Sequence, residues 1–119
     1  MCKEYNGYTN YETWNVALWI DNDEGTSQYI RDEAIEIYND AAATEFSTKK
    51  QKAIYDFQSW LKEYHEEANP LANDGGSTYS DLLQAALDSV NWYELAENWI
   101  DQIIDDELVE VETELDLQD

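Results

Sequence analysis

The side chains that could contact a partner or a ligand in this sequence are overwhelmingly carboxylates, with 28 Asp and Glu against 6 Lys and Arg. Two sets of acids are spaced four residues apart within segments that have helical periodicity. Because an α-helix rises about 1.5 Å per residue, each set forms a row with a carboxylate roughly every 6 Å. We predict that these two rows bind a partner; their members are Asp32, Glu36 and Asp40 in the first row and Glu97, Asp101 and Asp105 in the second.

The formal net charge of -22 limits what this partner can be. DNA, RNA and anionic membrane surfaces are bound through Lys and Arg, which replace counterions, so direct binding to nucleic acid or to a membrane is not expected. A protein surface with a large excess of negative charge attracts positively charged molecules. The sequence therefore predicts a basic partner, such as a nucleic-acid-binding protein of the host.

Few residues suit catalysis. His65 is the only histidine, and its position among acids near the end of a predicted helix accounts for it without a catalytic role. Cys2 has no basic neighbour beyond Lys3 and is expected to be an ordinary thiol. The sequence contains no metalloprotease HExxH, paired CxxC, phosphate-binding P-loop or dinucleotide-binding GxGxxG motif. We predict that the protein is not an enzyme.

The spacing Asp21-x-Asp23-x-Gly25 is faintly similar to a calcium-binding loop, but it lacks the third ligand, the glycine spacing and the closing Glu of such loops. We expect neither a metal nor a cofactor. A single cysteine excludes an internal disulfide, and no apolar run is long enough to span a membrane. The predicted location is therefore the cytoplasm of a host cell.

The segment Asn10–Ile20 is apolar on nearly every side when wound into a helix, and only Glu12 is charged. Tyr11, Trp14 and Leu18 share one face, while Val16, Trp19 and Ile20 lie on another. Thr9 with Glu12 matches a capping box at its start. This pattern predicts a buried N-terminal helix that the other helices cover.

Four further segments have the 3–4 repeat of half-buried helices, and they are joined by polar turns and a flexible loop at 71–77. We predict a single acidic domain over residues 1–119, built mainly of α-helix as a compact bundle of about five helices. Lysines near the start of the third helix oppose its dipole, so they are expected to fold over acids from elsewhere. The four segments begin near Thr26 or Ser27, near Ser47 or Thr48, near Thr78 or Ser80, and after Asn91.

Residues 108–117 change to a two-residue alternation of apolar and acidic side chains, which is typical of a β-strand. A strand and a disordered tail over 108–119 both remain open. A strand here would pair with the N-terminal leader, with a second copy in a homodimer, or with a bound partner.

The stretches NGYTNYETWNVALWIDNDEG and VNWYELAENWI resemble a group of short uncharacterised proteins of bacteriophages and other mobile elements, which often open with TNYETWNVALW. This resemblance implies an accessory gene of a mobile element. In general character the chain also resembles the DNA-mimic inhibitors that phages and plasmids use against restriction or CRISPR enzymes, which are small, mostly helical, aromatic-rich and very acidic.

The leading hypothesis is an inhibitor whose carboxylates stand in for phosphates in the nucleic-acid groove of a host defence protein, either CRISPR-Cas or a restriction enzyme. One alternative is a phage assembly or adaptor protein that binds a basic partner. The other is an acidic domain adapted to high salt. Mimicry requires the acids to be concentrated on one elongated face, whereas salt adaptation spreads them evenly.

Overall fold

The computed structural model describes residues 5–71 and 76–109. These residues form five α-helices, and the bounds of the helices are α1 Tyr11–Asn22, α2 Glu24–Asp40, α3 Lys49–Glu67, α4 Thr78–Ser89 and α5 Trp92–Asp105. The predicted class, a mainly α bundle of five helices, is confirmed. Outside the helices, Tyr5 and Tyr8 form a small antiparallel bridge. None of the described helices is both long and apolar enough to cross a lipid bilayer.

Local capping explains several helix starts. At α3 the Thr48 side chain accepts the backbone N–H of Gln51, whose own side chain accepts the N–H of Thr48. The side chain of Asn91 caps α5 by accepting the N–H of Glu94. For α1 the predicted N-cap, Thr9, is wrong by one residue, because Asn10 supplies the capping oxygen.

The core lies mainly between α5, α3 and α2. Helix α5 buries six apolar residues along one stripe and also buries Glu94, while α3 contributes four buried residues and α2 contributes three. Phe57, Leu61, Ile100 and Ile103 are fully buried. This arrangement follows from the sequence pattern, because each of these helices keeps its large apolar residues on one side and, apart from the buried Glu94, its charges on the other.

The prediction that the N-terminal helix is the buried centre is wrong. Helix α1 buries only Thr13 and Ile20, and the Trp19 side chain is 65% exposed. Trp14 is half-buried and packs against the rings of Tyr5 and Tyr11, which are themselves exposed. The apolar residues of α1 are spread around a helix of three turns, so they form no single stripe. Helix α5 has such a stripe and occupies the core instead. Helix α1 therefore lies at the edge of the bundle.

A polar network fixes the start of α1 to the start of α5. The Thr13 hydroxyl donates to Asn10 Oδ1 at 2.6 Å and accepts the backbone N–H of Asn91 at 2.8 Å. The N–H of Thr9 donates to the buried carboxylate of Glu94 at 3.0 Å, and Asn91 Nδ2 donates to the Thr9 hydroxyl. Because these groups are partly buried, their mutual hydrogen bonds replace the water they lose on folding.

Helix α5 ends in a defined turn. Glu107 has a left-handed backbone with φ near 60°, and the N–H groups of Glu107 and Leu108 donate to the carbonyls of Ile104 and Ile103. This is the double hydrogen bond of a Schellman motif, which satisfies the last helical carbonyls. Of the segment predicted as a strand or a disordered tail, only Leu108 and Val109 belong to the described residues, so that choice stays a prediction.

Candidate partner-binding surface

The first acidic row lies on the solvent side of α2. Asp32, Glu36 and Asp40 are all exposed, and they lie opposite the buried stripe of the same helix. The carboxylate of Asp32 accepts a hydrogen bond from Gln28 Nε2 at 2.9 Å, one turn earlier. Among the residues that the structure describes, no lysine or arginine forms an ion pair with this row. The row is thus available to a basic partner.

The second row has a lysine at its centre. Lys50 Nζ of α3 lies 2.6 Å from Asp101 Oδ1, and both side chains are nearly half exposed. The hydrogen bond to Asp101 raises the pKa of Lys50, and the charges of Asp101, Glu97 and Asp105 add to this effect, while partial burial opposes it. Thus Lys50 pairs with the central acid of the α5 row and offsets part of the charge of that row.

The other lysines of α3 behave differently from Lys50. Lys52 and Lys62 pair with acids one turn further along α3 itself, at 2.9 Å and 3.2 Å. Lys49 Nζ donates to the carbonyl oxygen of Ala41 at 2.8 Å and lies over the ring of Tyr38. The prediction that the lysines near the start of α3 cover acids from elsewhere is therefore confirmed for Lys50. It is wrong for Lys52, whose acid lies at the favourable i,i+4 spacing, and for Lys49, which binds a carbonyl oxygen.

Charge is distributed unevenly among the helices. Helix α2 contains five acids and one base, and α5 contains four acids and no base. Helix α3 contains four acids and four lysines, so it is formally neutral apart from its histidine. The two rows lie on the outer sides of two different helices, and no hydrogen bond or ion pair between described residues links them.

An apolar groove of about 570 Å³ opens between α1 and the last turns of α3. Val16, Trp19 and Ile20 of α1 form one wall, and Tyr64 and His65 of α3 form the other. The sequence prediction missed this groove because it placed α1 in the core. The available signal was the uncharged run over residues 13–20 in a very acidic protein.

The α3 wall of the groove is held by aromatic packing. Tyr64 stacks on Trp60 with ring centroids 5.2 Å apart, and Trp60 stacks on the buried Phe57 at 5.7 Å. The His65 ring lies 5.1 Å from Trp92 of α5. This stack runs from the core to the surface, so the wall is formed before any ligand arrives.

His65 is a packed wall residue. Its Nδ1–H donates to the carbonyl oxygen of Leu61 at 2.9 Å. Burial lowers its pKa, and the hydrogen bond to Leu61 opposes that shift only in part. At neutral pH the imidazole is uncharged.

The acids of the calcium-like spacing do not converge. Asp21 lines a small cavity of about 70 Å³ beside Asn98 and Gln102 of α5, where partial burial raises its pKa. Asp23 instead borders the groove and accepts a hydrogen bond from the Thr26 hydroxyl. Among the described residues, no cluster of three or more metal-ligating side chains is present.

Comparison with known proteins assigns the chain to a family whose function is unknown. Residues 1–118 match a family of unknown function, DUF7249, and the protein belongs to this family. No curated protein and no solved structure matches the chain significantly.

Proposed function

We propose that this protein is an inhibitor made by a phage or another mobile element. In this proposal it acts in the host cytoplasm and occupies the nucleic-acid groove of a defence protein, either a CRISPR-Cas protein or a restriction enzyme. Its exposed carboxylates stand where phosphates of DNA or RNA would lie. No cofactor, metal or catalytic step is needed, because the inhibitor acts by occupying the groove.

The observation that carries the proposal is the segregation of charge. Helices α2 and α5 each have four more acids than bases, α1 and α4 each have two more, and α3 is balanced. An acidic surface adapted to salt would have its excess of acids on every helix. The α2 row is also exposed and unpaired with any base of the described residues. An unpaired acidic face is the feature that a basic groove would attract through the same field that attracts nucleic acid.

Charge density limits how close the mimicry can be. Duplex DNA presents about one charge per 1.7 Å, whereas a row at i,i+4 spacing presents roughly one per 6 Å. A single row therefore supplies about a third of the linear density of a duplex. The partner would be attracted by the summed field of the protein rather than by an atom-for-atom copy of a phosphate backbone, and additional contacts would have to supply affinity.

An adaptor or assembly protein with a basic partner is the second candidate. The apolar groove with its exposed Trp19 favours it, since such a groove suits any protein partner, whether or not that partner handles nucleic acid. The two candidates differ in one respect. Nucleic acid would compete with this protein for the partner only if the protein occupies the nucleic-acid groove of that partner.

The test is a pull-down from host lysate with the full chain as bait, at low and moderate salt, followed by elution with duplex DNA. We expect a nucleic-acid-binding protein to be captured and DNA to displace it. Polyglutamate of similar charge serves as the control bait, because a protein that binds any polyanion would also appear there. A partner held by this chain alone and not displaced by DNA would reject mimicry and favour the adaptor.

A further inference from the structure

The apolar groove between α1 and α3 has features of a binding site that the fold itself does not require. Trp19 leaves 65% of its surface in solvent while its neighbour Ile20 is 3% exposed. Trp19 lines the groove together with other apolar side chains, so its exposed surface belongs to a larger apolar patch, and such patches mark interaction sites. Tryptophan is also among the residues most enriched at the energetic centres of protein interfaces.

The groove is apolar in its walls and acidic at its margin. Tyr64 is fixed by stacking on Trp60, and burial keeps the imidazole of His65 uncharged at neutral pH. Asp23 borders the groove, and Glu24 beside it is exposed. A ligand that fits would therefore present an apolar side chain for the walls and positive charge for the margin.

This charge pattern selects among three occupants. A second copy of the chain would bring another net charge of -22 to the same place. Residues 110–119 of the chain itself contain five acids and no base, so they too have the wrong sign. A basic protein segment has the right sign and gains from the same field.

We propose that the groove binds an apolar side chain flanked by Lys or Arg on a basic partner, with Trp19 as the main contact. This inference rests on the basic partner of the proposed function and assigns the apolar contact that such a partner would use. The acidic faces would then attract the partner, and the groove would hold it. Rim charges govern mainly the rate of association, whereas buried aromatic contacts govern mainly dissociation.

The test uses a defined probe, a fluorescently labelled helical peptide of Lys and Ala with one central Leu, and the same peptide with Ser at that position. Fluorescence anisotropy measures the affinity of each for the full-length protein. We expect the Leu peptide to bind about tenfold more tightly than the Ser peptide, which is the usual effect of one buried contact. W19S should abolish this preference while leaving the weaker, salt-dependent attraction of both peptides.

The matched control is Y79S, which removes an exposed aromatic residue of α4 away from the groove and should keep the preference for Leu. Equal binding of the two peptides to wild type, or a preference that survives in W19S, would overturn the proposal. Self-association in sedimentation experiments that W19S abolishes would overturn it in favour of a second copy.

No nucleic acid enters this experiment, so its outcome is independent of mimicry. If the Leu preference depends on Trp19 but DNA fails to displace the captured partner, the groove assignment stands and the mimicry proposal fails. If DNA displaces the partner and Trp19 has no effect on the peptides, mimicry stands and the groove assignment fails.

Discussion

Helices α1 and α5 have similar compositions and opposite roles. Each carries two tryptophans, at least one tyrosine and several aliphatic residues. Helix α5 buries seven residues and α1 buries two. The difference lies in where the charges are. Helix α5 has a row of acids opposite its apolar stripe, which orients it unambiguously, whereas α1 is apolar on several sides and only part of that surface reaches the core.

The comparison shows that absence of charge does not by itself indicate burial. Helices α1 and α4 each contain two acids and no base, and neither of them buries more than two residues. When such a helix lies at the edge, its uncharged surface is available for contact. We therefore interpret α5 as the helix that holds the fold together and α1 as the helix that presents an apolar contact.

The largest expected difference is between equivalent tryptophans of the two helices. Trp99 of α5 is 8% exposed and lies under the guanidinium of Arg31, whereas Trp19 of α1 is 65% exposed. We expect Trp99→Ala to lower the free energy of unfolding by about 3–5 kcal/mol and Trp19→Ala by no more than about 1 kcal/mol. Urea denaturation of both variants measures this, and similar losses would contradict the edge position of α1.

A smaller effect is expected from the polar network that ties α1 to α5. Thr13→Val keeps the shape of the side chain but removes the hydroxyl that accepts the N–H of Asn91. Because this leaves a partly buried donor without its partner, we expect a loss of about 1–3 kcal/mol. Thr78→Val, at an exposed threonine of α4, is the control and should change stability by less than about 0.5 kcal/mol. Equal effects would mean that the network contributes nothing to the position of α1.

The groove wall should make stability depend on pH near neutrality. Burial lowers the pKa of His65 in the folded protein, so the unfolded chain takes up a proton first as pH falls through about 6.5. The contribution of His65 to the free energy of unfolding is therefore complete above that pH and declines below it. His65→Gln should lack this component. Because the carboxylates are common to both proteins, the difference between their unfolding free energies isolates the histidine, and a difference independent of pH would contradict its burial.

The smallest effect on stability is expected at the α5 row. Lys50→Gln removes a surface ion pair with Asp101, so stability should change by less than about 1 kcal/mol. Since the acids of that row are then uncompensated, capture of a basic partner should survive to higher salt. Lys52→Gln changes net charge equally but removes a pair within α3, and it should have a smaller effect on capture. Identical elution from the two variants would show that only net charge matters.

The sequence predicted those features that depend on neighbouring residues. Thr48 and Asn91 cap helices where expected, because a cap is a hydrogen bond within one turn. The two acidic rows are on helices as predicted, because residues four apart share a face. The N-cap of α2 was predicted three or four residues late, because Asp23 is both the C-cap of α1 and the N-cap of α2 and no longer turn lies between the two helices.

The position of α1 and the groove could not be predicted in this way. Which helix becomes central depends on how the apolar stripes of several helices fit together. The apolarity of α1 alone does not show how well the other helices fill the core. Lys50 was expected to cover distant acids, but its choice of the α5 row depends on the packing of α3 against α5. Exposure of Trp19 likewise follows from the edge position of α1.

If this protein binds a basic partner through α2, the location of the acids on that helix, and not only the net charge, determines the affinity. The most direct measurement is the affinity of the captured partner for wild type, for the double variant Asp32→Lys with Glu36→Lys, and for the control Asp81→Lys with Asp88→Lys on α4. All four residues are exposed, and both double variants change net charge equally. We predict a marked loss of affinity for the α2 variant only, with thermal unfolding nearly unchanged in both. Equal losses in the two variants, or no loss in either, would contradict the claim.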